Sequence, residues 1–215
     1  MAKIEPFELY YDKYEKWFEE NRYAYLSELE AVRHFIPKNS NCMEIGVGSG
    51  RFASPLKIKI GIEPSQKMRE LSREKGVQTV GGVAEKLPFN NMQFDYALMV
   101  TTICFLDDIR ASIKEAHRVL KLGGMIVIGF VDKESLVGEK YATNKENSVF
   151  YKMATFYSVN EIIYFLKLAN FRNLKFKQTI FRDLEVIKEV EPVKKGYSEG
   201  SFVVVSAERQ VNKLS

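Results

Sequence analysis

Asn41-Cys42-Met43-Glu44-Ile45-Gly46-Val47-Gly48-Ser49-Gly50-Arg51-Phe52 is the stretch that decides the fold. A short apolar run ends in an acid and then breaks into alternating glycines. Cys42 to Ile45 reads as a buried strand. The glycines allow a tight turn with no Cβ between the backbone and whatever lies against it. In an open α/β sheet, ligands bind just past the carboxyl end of such a strand. Dinucleotide-binding folds use G-x-G-x-x-G, with a helix N-terminus facing a pyrophosphate. Here the spacing is G-x-G-x-G and the sixth position is Arg51. No G-K-[ST] follows, so a P-loop is excluded.

Downstream of the turn the chain alternates strand and helix. Phe52 to Leu56 is short and contains Pro55, which leaves the first crossover helix about one turn. Ile58 to Ile62 reads as the second strand and ends in Glu63-Pro64-Ser65. Ser65 caps a helix that runs to Glu74 and stops at Gly76. Val77 to Val80 is a third, edge-like strand, and Phe94 to Val100 is an apolar run suited to a buried parallel strand. Asp107 and Asp108 stand at a helix N-cap, followed by Ile109, Ile113, Ala116 and Leu120 at helical spacing. Gly123-Gly124 ends that helix, and Met125 to Val131 is the fifth strand. The alternation predicts an α/β fold: a doubly wound, mostly parallel, seven-stranded sheet.

The flanks read differently. Phe7 to Ile36 is expected to be helical, with Ser27-x-x-Glu30 as a capping box and Pro37 as the stop. The stretch from Tyr10 to Glu20 is rich in aromatics and acids. It is either a helix packing its rings on the domain or a lid whose Tyr14 and Trp17 close over a site. Asp132 to Tyr157 is polar, with scattered aromatics (Tyr141, Phe150, Tyr151, Phe156) and no period. Ser158-x-x-Glu161 is a capping box that opens an apolar helix through Leu168. Asn173 to Phe181 and Phe202 to Ala207 read as an antiparallel pair on the sheet edge. Gln210 to Ser215 is expected to fray. The division is one domain over 1–215: N-terminal helices or lid (1–37), ligand-binding core (41–131), an insertion (132–157), and a closing helix and strand pair (158–209).

At 215 residues the chain suits one α/β domain and is short for two. Hydrophobic residues at 46% and charged residues at 28% fit an ordinary folded globule and exclude a disordered class. No apolar run approaches the ~20 residues of a membrane span. The first residues, Met1 to Pro6, show no apolar signal region, so a cytoplasmic location is expected. Thirty-two basic residues against 28 acidic ones give +4, dispersed along the chain, which argues against a nucleic-acid partner. Cys42 and Cys104 sit in apolar runs with no C-x-x-C or Cys/His cluster, so neither a disulfide framework nor a metal site is expected. His34 and His117 fall on predicted helices and read as packing or surface residues.

Three stretches share one resemblance. The glycine turn is similar to E/D-x-G-x-G-x-G, the first motif of class I S-adenosylmethionine-dependent methyltransferases. Gly81-Gly82-Val83-Ala84-Glu85-Lys86-Leu87-Pro88-Phe89, followed by Phe94-Asp95, resembles their G-D-A-E-x-L-P-F…F-D stretch. Arg118-Val119-Leu120-Lys121-Leu122-Gly123-Gly124 resembles their R-V-L-K-P-G-G. The likeness is to the ubiquinone/menaquinone-biosynthesis (methyltransferase type 11) kind, dense from Asn41 to Val131 and diffuse on either side. It implies a Rossmann-like methyltransferase fold with a reversed C-terminal strand. It also implies S-adenosylmethionine as cofactor and S-adenosylhomocysteine as product.

The resemblance also assigns roles. Gly46, Val47, Gly48 and Gly50 would pass under the methionine and ribose parts of the cofactor, with Glu44 holding the loop and facing the ammonium. Glu63, beside Pro64, would bind the ribose hydroxyls, and Ala84 and Glu85 would line the adenine edge. Thr101 and Thr102 would sit beneath the sulfonium and the acceptor. Tyr14, Trp17, Phe105 and Phe130 complete the acceptor-side candidates. Val83 stands where an acid is often found, and Leu122 replaces a turn proline.

Methyl transfer from a cationic sulfur needs positioning, desolvation and an available lone pair. No triad is therefore expected and no catalytic base is assigned. The implied reaction is in-line displacement onto a small-molecule acceptor, with the acceptor atom (N, O or C) left open. Tyr10, Tyr11, Tyr14 and Trp17 with Asp12, Glu15, Glu19 and Glu20 would favour a cationic amine; a phenolic or quinone-like acceptor is equally open. The D/N-P-P-Y/F motif of nucleic-acid amino-methylating enzymes is replaced by Val100-Thr101-Thr102-Ile103-Cys104-Phe105. An acidic metal ligand of the catechol type would fall at Val100 or Thr101, so no metal is expected. The alternatives are a protein that holds the cofactor without turnover and, disfavoured by the glycine spacing, an NAD(P)-dependent oxidoreductase. Oligomeric state is not read from the sequence.

Overall fold

Side chains alternate across a strand. A strand covered by helices on both faces must therefore be apolar at every position. All four residues of β1 (Cys42–Ile45) are buried, and Glu44 is its single departure from that apolar rule. The computed structural model describes residues 4–210 and builds its sheet outward from this strand. β2 (Ile60–Ile62) and β4 (Phe94–Val100) flank β1 in parallel, and β3 (Gln78–Val80) lies outside β2. β5 (Leu120–Val131) continues in parallel beyond β4. The order then reverses: β8 (Phe202–Arg209) runs antiparallel to β5, and β6 (Phe171–Thr179) antiparallel to β8. β7 (Lys194–Lys195) adds two residues at the far edge, so the sheet has eight strands rather than the expected seven. β8 is interior, not at an edge, which is why Phe202 to Val205 are all buried.

The helices are α1 (Glu5–Leu9), α2 (Tyr11–Glu20), α3 (Arg22–Arg33), α4 (Gln66–Glu74), α5 (Ile109–Val119), α6 (Leu136–Thr143) and α7 (Val159–Leu168). One sheet face, through Met43, Ala97, Met99 and Ile128, packs on Ile113 of α5 and Ile162 of α7. The other, through Leu98, Val100, Val127 and Val204, packs on Leu29 and Val32 of α3 and Val137 of α6. Each fully buried Leu, Ile, Val or Met among them stabilises the fold by ~1.5–3 kcal/mol. No described helix is long and apolar enough to cross a membrane.

Caps fix several boundaries. Ser65 accepts from Met68 N at 3.1 Å, Asp108 accepts from Arg110 N and Ala111 N, and Ser158 with Glu161 forms the reciprocal capping box. Ser27 does not cap. α3 begins at Arg22, and Ser27 sits inside it, its hydroxyl donating to Tyr23 O at 2.7 Å and accepting from Glu191 N at 2.8 Å. The segment after the glycine turn is a run of turns rather than a one-turn helix, ending at Lys57 in the left-handed region. Gly123-Gly124 does not end α5: the helix stops at Val119, and both glycines lie within β5. There Phe94 pairs with Leu120 but Tyr96 pairs with Met125, so the glycines sit in an irregularity of the ladder. The expected fraying of Gln210 to Ser215 falls, from residue 211 on, outside the described residues.

Candidate active site

The glycine turn is hooked to the neighbouring strand: Gly46 N and Val47 N both donate to Ile62 O, at 2.8 and 3.0 Å. Gly46 is in the left-handed region, and a Cβ there would overlap the Thr102 side chain. One residue past β2, Glu63 reaches back across the turn. Its carboxylate accepts from Gly48 N and from Ser65 N, each at 2.9 Å. Burial pushes this acid up to about 7 despite those two donors.

These elements wall a cleft that is partly open to solvent, with about 750 Å³ of free space when its open mouth is counted. Gly46, Gly48, Glu63, Pro64, Ala84, Glu85 and Thr101 line it, and so do Tyr14, Thr102 and Phe105. Three expected cofactor positions are not in the lining. Glu44 is buried below the turn, accepts from the Ala53 backbone, keeps Oε2 without a partner, and is held well above the usual carboxylate range by burial. Val47 packs inward on Gly61, and Gly50 abuts Ser72 of α4. These three residues hold the turn from behind. Asp107 lines the cleft and the helix cap falls to Asp108 alone, while Glu85 accepts from the backbone N–H of both.

α1 and α2 cover one side. Glu15 of α2 binds the Ser49 hydroxyl, Arg51 Nη2 at 2.6 Å and Lys75 Nζ at 3.2 Å. Burial pulls its carboxyl up, but the hydrogen bonds from Ser49 and Arg51 and the charges of Lys75 and Arg51 outweigh that and hold it low. Glu8 of α1 accepts from Gln66 N and Lys67 N, capping α4 from outside. Phe7 lines the cleft and meets Phe105 and Tyr14 edge-on at 5.0 and 5.8 Å. The acidic and aromatic stretch is therefore split. Tyr14 faces the cleft, Trp17 packs edge-on against Phe18, Tyr11 lies under Lys67, and Asp12, Glu19 and Glu20 face solvent.

Thr101, the first residue past β4, has φ +51°. A β-branched residue in that region carries ~1–3 kcal/mol of strain. It is held there by Thr101 N donating to Gly129 O and its hydroxyl donating to Val100 O, both at 2.8 Å. The Thr102 hydroxyl lies 3.1, 3.2 and 3.3 Å from the carbonyls of Val100, Ile45 and Gly46. Both hydroxyls are thus engaged by backbone. Thr101 also lines a second, much narrower cavity, with Cys104, Phe130, Tyr141, Tyr151 and Phe156. Phe105 of the first cavity stacks on Tyr151 of the second, with centroids 6.3 Å apart and planes 9° from parallel. Phe130 therefore belongs to the second cavity and Trp17 to neither. Sequence reasoning missed Phe7, in a helix of five residues that shows no periodicity. It also left Tyr141 and Tyr151 as scattered aromatics, because α6 and the turns around it lack a clear pattern. Among the described residues, no group of three or more His, Cys, Asp or Glu could hold a metal ion.

A solved structure from Thermotoga maritima, described as an S-adenosylmethionine-dependent methyltransferase and possible histamine N-methyltransferase, superposes with a TM-score of 0.94. It is 50% identical and covers 96% of this chain and 100% of its own. This chain belongs to the S-adenosylmethionine-dependent methyltransferases. The methyltransferase-domain model matches residues 43–128, the part holding the glycine turn, Glu63 and Thr101. An uncharacterized protein of Methanocaldococcus jannaschii is 44% identical over 203 residues, 94% of this chain and 98% of its own. A demethylmenaquinone methyltransferase of Staphylococcus epidermidis is 30% identical over 104 residues, 43% of each chain, so the menaquinone-type members are distant relatives of this methyltransferase.

Proposed function

We propose that this methyltransferase moves a methyl group onto a small-molecule amine that enters from the second cavity. The observation that carries this reading is Thr101, which lines both the cleft beside the glycine turn and the aromatic cavity behind it. A ligand in each would meet at that residue. The likeness to the Thermotoga protein, described as a possible histamine N-methyltransferase, supports an amine over a phenol or quinone.

The cleft suits the cofactor on its own geometry. Gly46 and Gly48 leave a wall without Cβ atoms, and a buried carboxylate stands at its rim. When bound, S-adenosylmethionine supplies a methyl group on a cationic sulfur, already activated for displacement. We assign Glu63 to the ribose hydroxyls, Ala84 and Glu85 to the adenine edge, and Gly46 and Gly48 to the backbone surface beneath. Phe7, Tyr14 and Phe105 exclude water from the reacting end, and aromatic faces near a sulfonium favour its charge by ~0.5–2 kcal/mol. Thr101 and Thr102, fixed by backbone contacts, shape the floor without acting as bases. A cytoplasmic location accords with two cysteines that form no disulfide.

Incubation with methyl-labelled S-adenosylmethionine and a panel of amines, phenols and quinones tests the reading. Label transferred to an amine is expected. Tight S-adenosylhomocysteine binding with no transfer to any acceptor class would replace it with a cofactor-holding protein.

A further inference from the structure

Residues 81–93 join β3 to β4 through turns and bends, with one bridge between Val83 and Lys86. Gly82, Val83, Ala84 and Glu85 of this segment form one wall of the cleft. A segment outside helix and sheet has no ladder to fix its path, so its backbone groups must find other partners. Here α5 supplies them at both of its ends. Ahead of the helix, the Glu85 carboxylate accepts from Asp107 N and Asp108 N, at 3.0 and 3.3 Å. In its last turn stands Arg118.

Every N–H donor of the Arg118 guanidinium is engaged. Nε and Nη2 donate to the two Glu115 oxygens at 2.7 and 2.8 Å, a bidentate fork. Nη2 also donates to Leu87 O at 2.9 Å, and Nη1 donates to Phe89 O and Asn91 Oδ1, both at 2.8 Å. Glu115 Oε2 in turn accepts from Leu87 N at 2.8 Å, so the ion pair holds both backbone groups of Leu87. A helix-surface ion pair needs only a cation and an acid, and lysine would serve. This one sends its remaining donors off the helix to a single short segment, which takes the planar fork of arginine. Residues 81–89 and 118–124, far apart in the chain, are joined at this side chain.

We propose that Arg118 is a positioning residue for cofactor recognition: with Glu115 it fixes the segment that forms the adenine wall, and through that wall it sets the preference for a 6-amino purine. This rests on the assignment of Ala84 and Glu85 to the adenine edge above. Arg118 lies outside the cleft lining and acts through Leu87, two residues beyond Glu85. A wall tells one hydrogen-bonding edge from another only while its own groups are held in place. With Leu87 and Phe89 released, residues 82–85 keep their chemistry and lose their position.

Isothermal titration with S-adenosylhomocysteine and S-inosylhomocysteine tests this, with urea unfolding of each variant in parallel. The inosyl compound has a 6-oxo group and a proton on N1, which inverts the edge that the wall meets. Wild type is expected to bind the adenosyl compound about tenfold or more tightly than the inosyl one. Arg118→Ala should weaken the adenosyl compound about tenfold and cut the preference to about threefold or less. Arg118→Lys, which keeps the charge without the fork, should do the same. Lower stability with affinity and preference both retained would make the clamp a matter of folding alone and overturn the proposal, as would full recovery by lysine. Should neither variant fold, Glu115→Gln carries the test, because it turns one acceptor oxygen of the clamp into a donor; a preference unchanged there would also overturn the proposal. A wild type that binds both compounds equally would remove the adenine-edge assignment and the proposal with it. One that binds neither would overturn the cofactor reading beneath them.

Discussion

Tyr14 and Gly48 face each other at the wall of the cleft: a Cβ on residue 48 would stand 3.1 Å from the Tyr14 hydroxyl. The phenol is half-buried, and its pKa is raised by desolvation and by the charges of Glu63, Glu15 and Glu44. It therefore stays protonated at any working pH and acts as a neutral wall.

Gly48 has φ +53°, so an alanine there carries strain as well as the contact with Tyr14. The strain alone is ~1–2 kcal/mol, and S-adenosylhomocysteine affinity should fall about tenfold or more in Gly48→Ala. Tyr14→Phe, which removes the contacted oxygen, should recover part of that loss. A double-mutant cycle on affinity checks it; strictly additive losses would show that the two residues do not touch.

Glu63 titrates near neutrality, and a ribose hydroxyl donates only to its ionised form with full strength. Cofactor affinity is expected to weaken as pH falls below about 7. Glu63→Gln should lower affinity about 10–100-fold, the size of a charged hydrogen-bond pair, and should flatten the pH dependence. Titrations from pH 5.5 to 8.5 decide this. A variant that keeps the wild-type slope would place the titrating group elsewhere.

The Glu15 contacts tie α2 to Ser49 and Arg51 of the glycine turn and to Lys75 at the end of α4. Glu15→Ala should cost ~1–3 kcal/mol in urea unfolding. It should also speed release of S-adenosylhomocysteine, because Tyr14 rides on the same helix. Unchanged release with lowered stability would make the contacts purely structural.

The raised carboxyls set the pH course of stability. Glu28 at about 8 and Glu63 at about 7 both lie above the unfolded value of 4.5, so the folded state holds more protons in between. Their stabilising contribution is full below pH ~4.5 and is lost as pH rises through 7 and 8. Glu44 and Asp132 act with the same sign, and His117, held low by burial, opposes them only below its unfolded 6.5. The lowered acids Glu15, Asp95, Glu115 and Glu161 act in the other direction and only below about 4.5. The ligand-free protein should therefore be more resistant to urea at pH 6 than at pH 9, and Glu28→Gln should remove much of that difference.

The parts of the fold legible in the sequence are those fixed by local chemistry. β4 spans the Phe94 to Val100 run because both its faces are covered, and Ser65, Asp108 and Ser158 start helices because their side chains reach N–H groups two or three residues on. What stayed hidden depends on distant partners. Ser27 carries a capping pattern, but its hydroxyl is claimed by Glu191, 164 residues away. Gly123-Gly124 looks like a helix stop and instead lies in a bulged strand, a choice made by the pairing of Phe94 and Tyr96. The glycine turn marked one wall of the cleft, but not that Glu44, Val47 and Gly50 stay outside its lining. The second cavity was least legible. Its rings come from residues 130, 141, 151 and 156, whose spacing follows no helical or strand period.

β8 lies between β5 and β6 although it follows both in the chain. During synthesis, the outer edge of β5 and the inner edge of β6 emerge before the strand that joins them exists. Both must wait with open backbone groups until residues 202–209 have left the ribosome. The half of the sheet that bears the cleft can assemble on the nascent chain. The half beyond β5 closes only after translation has passed Arg209, which makes this interval the one in which the protein most needs protection from self-association.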